Sequence, residues 1–433
     1  MTMPPVTVAA AKLGRHPLAR FLLSDLPEGV TVEPINVVAE DGAASTGLLY
    51  LPPGRRPTTV VHLMHPRTDQ SQHYAAPYLL RAGFGVLGRA GRWVNNDVVT
   101  QHEQLVLDVA AGMRFLREER GFERVVGLGN SGGGALAAFY QSQAETDPAQ
   151  RIVATPAGDP VRLDEADLPP MDGLVFLAAH PGQGAFLMRG VDPSVVDEGD
   201  LLAVESRLDM YDQRNGFVEP PGASSYTPDF IQAYRAAQVA RVQRLDALAR
   251  SRVEIRRDAE RMAADPAFQR IGAGSRERLW RRAAAGWYMV VYRTSADLRF
   301  TDLSIEPDDR VVSSMFTDQP HVDNYSEHGF AHYLTPEAWL STWSGRSSRA
   351  SLAQSIDSIT VPSLVVHYAG DAGISVDESQ GLHDGLASTD KDYSVVRHAT
   401  HYGMRIVDGR VTNERVLDGL DVITDWLQGR FAP

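Results

Sequence analysis

Short apolar runs recur along the chain, each followed by a turn or a polar loop. Residues 58–64 and 173–179 are almost wholly apolar or β-branched, which is typical of strands buried on both faces of a parallel sheet. Residues 30–51 read as two strands around the turn Asp41-Gly42, which predicts a hairpin. Further strands are predicted at 84–87, 124–128, 361–368 and 393–397.

Helical periodicity separates these runs. Apolar residues recur every three or four positions between Leu105 and Leu116, which predicts an amphipathic helix that stops at Gly121. Other helices are predicted at 71–81, 132–145 and 416–427. Strands that alternate with helices in this way predict the α/β class, with a doubly wound, mostly parallel sheet and helices on both faces.

The alternation stops between Gly182 and about Ile359, where helices and loops replace it. Residues 230–262 predict one long helix or two abutting helices, with Val242 and Leu245 on one face. We therefore expect a core domain made of residues 1–182 and 360–433, with residues 183–359 inserted as a mainly helical cap. Such an insertion would cover the strand ends, where ligands bind to sheets of this kind.

Composition and charge narrow the function. The 433 residues include 42 Lys and Arg against 55 Asp and Glu, a net charge of −13 that disfavours a nucleic-acid partner. The absence of cysteine excludes disulfides, thiolate catalysis and cysteine-bound zinc. The first 30 residues lack a signal-peptide pattern, and no apolar run approaches the roughly 18 residues that a membrane span needs, so we expect a cytoplasmic protein without membrane contact.

A glycine-rich turn carries the main candidate chemistry. Residues 129–133 read Gly-Asn-Ser-Gly-Gly, which matches G-x-S-x-G, the sharp strand-to-helix turn that exposes the hydroxyl of a nucleophilic serine, here Ser131. Residues 127–132 also match the dinucleotide-binding pattern G-x-G-x-x-G. That pattern normally opens its sheet, whereas several strands precede it here, so the serine turn is preferred over a nucleotide loop or a purely structural turn.

The strand, serine turn and helix resemble the α/β-hydrolase superfamily, in which the nucleophile is followed along the chain by an acid and then a histidine. The resemblance implies Ser131 as nucleophile, Asp371 after a hydrophobic strand as orienting acid, and His401 in a late loop as base. His398 and Asp377 are the weaker alternatives for the last two roles.

The resemblance also implies an oxyanion hole of backbone N–H groups. One donor is expected to be Gly132, directly after the nucleophile. The second is expected to be Arg67, because the segment His65-Pro66-Arg67 is similar to the His-Gly segment of the family and proline has no N–H. Candidate substrate-binding residues near the same strand ends are His65, Trp93, Asn95, Asn96 and His180.

Two other features favour simpler interpretations. His328 and His332 lie four residues apart but belong to no H-E-x-x-H motif, so no metal site is expected. The many arginines between 235 and 282 alternate with acidic residues, which is typical of a solvated helix face.

The sequence therefore predicts a serine hydrolase that acts on an ester, thioester or lactone of a small carbonyl compound without a cofactor. One alternative keeps the same three residues but cleaves a carbon–carbon bond beside a carbonyl. Another is a non-catalytic ligand-binding protein on the same fold. A homo-oligomer is compatible with the sequence.

Overall fold

The computed structural model describes residues 8–9, 25–407, 410–412 and 416–433. Its centre is an eight-stranded sheet with the strand order β8-β7-β6-β5-β3-β4-β2-β1. The strands are β1 (Thr31–Val38), β2 (Ala44–Leu51), β3 (Thr59–Leu63), β4 (Gly85–Arg89), β5 (Arg124–Asn130), β6 (Gly173–Leu177), β7 (Ser363–Tyr368) and β8 (Lys391–Val396).

The six strands from β3 to β8 run parallel to one another, and β2 is antiparallel to both of its neighbours. Every residue of β3, β4, β6 and β7 is buried, although β4 was predicted only as a short strand and includes Arg89. The edge strands β1 and β8 are only partly buried. The predicted fold class, a doubly wound and mostly parallel sheet, is confirmed.

Helices cover both faces of the sheet, and the sheet separates two hydrophobic cores. One core holds apolar residues of α2, α3 and α7, and the other holds those of α1 and α8. The α-helices of six or more residues are α1 (Ala76–Arg81), α2 (His102–Arg114), α3 (Gly132–Glu145), α4 (Gln183–Gly190), α5 (Pro228–Ala264), α6 (Ala273–Ala284), α7 (Val376–Gly385) and α8 (Val416–Arg430). One five-residue π-helical turn, Phe115–Glu119, extends α2.

The first helix begins later than predicted, at Ala76 instead of residue 71. The carboxylate of Asp69 accepts hydrogen bonds from the backbone N–H and the hydroxyl of Ser71, at 2.8 and 2.6 Å. This local turn competes with helix formation. Pro77 then lies in the first turn of the helix, where its missing N–H costs nothing.

Residues 178–362 join β6 to β7, and we call them the β6–β7 connection. Its longest helix, α5, is a single helix of 37 residues, the first of the two possibilities that the sequence allowed. Leu245 of α5 packs with Leu187, Trp339 and Trp343 in a hydrophobic cluster that belongs to the connection itself. Long irregular segments separate its helices, together with a short two-stranded pairing of Met289–Val290 with Tyr333–Leu334.

A small three-stranded sheet lies apart from the central one and joins Val8–Ala9, Arg405–Val407 and Arg410–Thr412. The rest of the first 24 residues, which the signal-peptide expectation concerns, falls outside the described residues. Within the described part, no helix combines the length and apolar character needed to cross a membrane.

Candidate active site

Ser131 lies on the turn between β5 and α3. Its backbone is held at φ 56° and ψ −127°, a conformation that non-glycine residues rarely adopt and that is common at functional sites. The turn is also crowded, because a Cβ on Gly129 would lie 2.5 Å from Cα of Gly134. Gly129, two residues before Ser131, is therefore required because backbone atoms approach it closely. The serine hydroxyl itself lies at the carboxyl end of a central strand.

Two buried side chains from later in the chain, His401 and Asp371, form a hydrogen-bonded row with this hydroxyl. His401 Nε2 lies 2.9 Å from Oγ of Ser131, and His401 Nδ1 lies 2.6 Å from Oδ2 of Asp371. Asp371 follows β7 directly, and its Oδ1 accepts the backbone N–H of Gly373 at 2.8 Å. The side chains of His401 and Asp371 are only 4% and 1% exposed. Three residues that are up to 270 positions apart thus form one continuous hydrogen-bonded chain.

Charge fixes the direction of these hydrogen bonds. Burial alone would raise the pKa of Asp371, but the charge and hydrogen bond of His401 and the amide of Gly373 lower it below its ordinary value. Asp371 is therefore an acceptor, and Nδ1 of His401 donates to it. This leaves the lone pair of Nε2 to accept the hydroxyl proton of Ser131.

A cavity of about 380 Å³ opens beside Ser131. One side is polar and comes from the loops after β3 and β5, with His65, His73 and Asn130. Another part of the lining comes from the β6–β7 connection and includes Met315, Phe316, Glu327, His328 and Phe330. The cavity therefore exposes the Ser131 hydroxyl to polar and apolar side chains together.

No protein-family model matches the chain, and no curated protein has a significantly similar sequence. Solved structures do match. The esterase domain of a Rhodothermus marinus protein is 11% identical, with 92% of this chain and 98% of that chain covered and a TM-score of 0.40. Est1E from Butyrivibrio proteoclasticus is 10% identical (92% and 98% covered, TM-score 0.43), and the α/β hydrolase GrgF from Penicillium is 11% identical (93% and 99% covered, TM-score 0.43). These similarities are too distant to transfer an activity.

The topology of the chain itself decides the fold family. A serine stands on a cramped turn between a parallel strand and a helix, and an acid and a histidine follow it in that chain order at the ends of later strands. The chain has the α/β-hydrolase fold. The resemblance seen in the sequence is confirmed at this level.

Within this α/β-hydrolase fold, the alternative residues His398 and Asp377 lie elsewhere. The His398 side chain is 51% exposed, and its Nδ1 faces Asp309 at 3.5 Å. Asp377 is exposed in the first turn of α7.

The predicted second oxyanion donor is wrong in this structure. The backbone N–H of Arg67 donates to Nδ1 of His65 at 3.0 Å, so the ring of its near neighbour occupies it. The guanidinium of Arg67 pairs with Asp97 at 2.5 Å and lies over the ring of Phe330 at 4.6 Å. Gly132, the other predicted donor, is the first residue of α3, where the backbone N–H has no acceptor within the helix.

The five predicted substrate-binding residues divide into two groups. His65 and Asn95 line the cavity with Ser131, and His180 is buried beside Gly132. Trp93 and Asn96 do not fit their predicted role. Trp93 packs on the hydrophobic core with Arg92 over its ring, and the exposed Asn96 uses its side-chain oxygen to accept the Val98 N–H at 3.1 Å. Their loop is tied down by its own contacts.

Several residues of the site were missed in the sequence. His73 lines the cavity, accepts the Ala75 N–H on Nδ1 and faces the side-chain oxygen of Asn130 at 3.3 Å. Its position in a loop after β3 is a signal that could have found it, because such loops meet at the carboxyl edge of the sheet. Phe316 and Phe330 gave no comparable signal, since the β6–β7 connection has no regular pattern around them.

His328 and His332 use their rings in local structure. His332 Nδ1 faces the Val291 carbonyl at 3.0 Å, and its Nε2 faces the His328 carbonyl at 2.8 Å. His328 Nδ1 lies 3.0 Å from Asp323. Among the residues that the structure describes, no group of three or more His, Asp or Glu side chains is arranged to hold a metal ion.

Proposed function

We propose that the protein is a serine hydrolase that cleaves an ester, thioester or lactone of a small organic molecule through an acyl-enzyme on Ser131. The observation that carries this proposal is the hydrogen-bonded chain from Ser131 through His401 to Asp371, which opens on a cavity. A serine hydroxyl needs an adjacent base, and that base needs an orienting carboxylate. Both are within hydrogen-bonding distance.

In the proposed reaction, Oγ of Ser131 attacks the substrate carbonyl carbon while Nε2 of His401 takes the hydroxyl proton. The electron pair of the carbonyl moves onto its oxygen, and the Gly132 N–H at the start of α3 stabilises that charge. The intermediate collapses, and the leaving group departs with the proton from His401. Water then repeats the sequence on the acyl-enzyme and releases the acid, while Asp371 stabilises the imidazolium in both halves.

We further propose that residues 183–359 act as the cap of a core made of residues 1–182 and 360–433. Support comes from Phe316 and Phe330, which lie in the β6–β7 connection and line the cavity together with the loops of the core. Apolar side chains of this kind suit an acyl chain or an aryl group, because burial of apolar surface is favourable.

Ester turnover by matched variants tests the proposal. A panel of p-nitrophenyl and thioester substrates should be hydrolysed by the wild type, and Ser131→Ala and His401→Ala should each lower kcat by a factor on the order of 10⁴ or more. His398→Ala serves as the control, because that histidine is half exposed and paired with Asp309, and it should retain nearly full activity. Equal turnover by wild type and Ser131→Ala would contradict the proposal.

A further inference from the structure

Three side-chain nitrogens converge on the glycine that follows the nucleophile. A Cβ placed on Gly132 would lie 2.9 Å from Nε2 of His180 and 3.1 Å from Nε2 of His65, and it would clash with Nε2 of Gln183. His180 and Gln183 are buried, at 7% and 2% exposed. The missing side chain of Gly132 therefore lets these ring and amide nitrogens lie close to the backbone next to Ser131.

Backbone hydrogen bonds fix which ring nitrogen carries the proton. Nδ1 of His65 accepts the backbone N–H of Arg67 at 3.0 Å and that of Thr68 at 3.2 Å. Nδ1 of His180 accepts the N–H of Gly182 at 3.1 Å. A neutral imidazole whose Nδ1 is an acceptor holds its proton on Nε2. Both rings thus direct an Nε2–H donor towards Gly132.

Burial keeps the two rings neutral. It lowers the pKa of His180 to about 3, with further lowering from the nearby His401 and His102. Burial lowers the pKa of His65 well below its ordinary value, and the positive charge of Arg67 adds to this effect. At neutral pH each ring is therefore a fixed dipole with one N–H, which can stabilise a developing negative charge without giving up a proton.

We propose that His65 and His180 donate their Nε2–H groups to the carbonyl oxygen of the substrate as it becomes an oxyanion, beside the Gly132 amide. This inference rests on the proposed acyl-enzyme function. It gives the site the side-chain donors that replace the Arg67 amide, which is occupied by His65. His65 and His180 are then catalytic residues in the strict sense, because they touch a reacting atom.

Gln183 completes this arrangement. Its side-chain oxygen lies 3.0 Å from Nε2 of His102, while its Nε2 is buried without a hydrogen-bond partner among the described residues. A buried donor without a partner costs about 1–3 kcal/mol, which makes a bound oxygen atom a favourable partner. Gln183 therefore offers a third side-chain N–H beside Gly132, and its amide oxygen faces the ring of His102.

The electron count of the step is unchanged by these donors. The bond from Ser131 Oγ to the carbonyl carbon forms as the carbonyl π pair moves to oxygen, and the hydroxyl proton goes to His401. The covalent Nε2–H bonds of His65 and His180 stay intact. Only the hydrogen bonds from these groups to the substrate oxygen become shorter. When the C=O bond forms again, the leaving group departs with the proton of His401.

Isosteric substitutions separate donation from packing. His180→Gln and His180→Met both lose the Nδ1 acceptor and have similar length, but only glutamine keeps an N–H at the reach of Nε2. His180→Met should lower kcat by about 10²- to 10³-fold with KM little changed, and His180→Gln should recover most of that loss. The pair His65→Met and His65→Gln should behave in the same way.

A transition-state analogue supplies a second readout. A trifluoromethyl ketone adds to the serine as a tetrahedral oxyanion, so its affinity should fall in the methionine variants in parallel with kcat/KM. Folded methionine variants of His65 and His180 that keep wild-type kcat and inhibitor affinity would overturn the inference. So would glutamine and methionine variants that lose activity equally.

The proposed function can fail separately. If a fluorophosphonate does not label Ser131 in the wild type, the acyl-enzyme mechanism is wrong, whatever the histidine variants do. If labelling occurs and the methionine variants are fully active, only the assignment of His65 and His180 is wrong. Thermal unfolding of each variant distinguishes lost donation from lost folding.

Discussion

At the scale of single residues, the carboxylate of Asp371 determines which nitrogen of His401 holds the proton. Its Oδ2 lies 2.6 Å from Nδ1, and its Oδ1 is held by the Gly373 amide. With both oxygens engaged, the carboxylate cannot rotate away, and the ring is kept with Nε2 towards Ser131. The proposed base is thus oriented by a neighbour that has no contact with the substrate in the proposed reaction.

Asp371→Asn tests this orientation. The amide is nearly isosteric but favours the tautomer that protonates Nε2, so we expect kcat to fall by about 10⁴ with little change in fold. Steady-state ester kinetics measure the loss. Asp377→Asn is the matched control, since that carboxylate is exposed on α7 and should be dispensable. A larger loss in Asp377→Asn than in Asp371→Asn would refute the assignment of the acid.

Glu103 makes stability depend on pH. Burial raises its pKa to about 7 from 4.5, although the hydroxyl of Ser341 donates to it at 2.5 Å. Between about pH 4.5 and 7 the unfolded chain loses this proton while the folded protein keeps it, so the contribution of Glu103 to the free energy of unfolding falls as pH rises through that window. The total change is on the order of 3 kcal/mol.

Glu103→Gln removes this titration. We expect the free energy of unfolding of the variant, relative to that of the wild type, to be higher at pH 8 than at pH 5. Urea unfolding of both proteins at the two pH values measures this difference. Glu119→Gln, at an exposed position, is the control and should show no such gain. An equal wild-type-to-variant difference at both pH values would show that Glu103 is not protonated in the folded state.

The hydrogen-bonded contact of Ser131, His401 and Asp371 could be predicted because their types, motif and chain order are visible in the sequence. The second oxyanion donor could not, because the ring of His65 folds back on its own loop and takes the Arg67 N–H. That hydrogen bond depends on loop conformation, which a residue pattern does not encode. The same reason explains why Trp93 and Asn96 were wrongly placed in the pocket.

At the scale of elements, the junction of β5 and α3 is the most constrained part of the chain. Ser131 adopts a positive φ, and its backbone N–H bonds to the Leu177 carbonyl of the adjacent strand at 3.1 Å. Gly129 contacts backbone atoms of Gly133 and Gly134 at the start of the helix. Because these neighbours are backbone, they cannot move aside as a flexible side chain would.

A pair of glycine-to-alanine substitutions measures this constraint. Gly129→Ala should destabilise the protein by about 3 kcal/mol or more, because its Cβ would overlap the helix backbone. Gly381→Ala lies within α7 with nothing within 4 Å of the new methyl, and it should gain about 0.5–1 kcal/mol. Urea denaturation measures both. Similar, small effects at the two positions would contradict the crowding argument.

Elements of the core could be predicted closely because the central strands are short apolar runs and α2 carries a regular apolar stripe. The predicted helix at 132–145 has the same bounds in the structure, and the predicted strand at 173–179 is found at Gly173–Leu177. The first helix was misjudged by five residues, because the Asp69 turn and Pro77 act against the helical pattern.

At the scale of the whole molecule, the β6–β7 connection carries its own hydrophobic cluster and covers one side of the cavity. Trp339 Nε1 donates to the buried Asp246 of α5 at 2.7 Å, which ties the end of the connection to its longest helix. The guanidinium of Arg67, in the loop after β3, lies over the ring of Phe330 and links the connection to the core. The position of the connection therefore controls the size of the space beside Ser131.

Phe330→Ala tests this control of size. Removal of the ring should enlarge the cavity and raise kcat/KM for long acyl esters relative to acetate by about tenfold, since the added room accepts more apolar surface. A series of p-nitrophenyl esters of increasing chain length measures the ratio. Trp280→Ala is the control, because that side chain is 65% exposed on α6. An unchanged chain-length preference in Phe330→Ala would exclude Phe330 from the acyl site.

A long connection between β6 and β7 could be predicted, since the strand and helix alternation stops and later resumes. Its internal arrangement could not, because long irregular segments carry Phe316 and Phe330 to the cavity without any periodic signal. In the proposed function, substrate preference depends on those segments, so it is the part of the function that the sequence reveals least.

The most direct test of the central claim is to map the covalent adduct formed with a fluorophosphonate probe. Intact mass spectrometry followed by peptide mapping should find one adduct on the peptide that contains Ser131, and none after Ser131→Ala or after denaturation before labelling. An adduct on a different residue, or none on the folded wild type, would contradict the proposed chemistry.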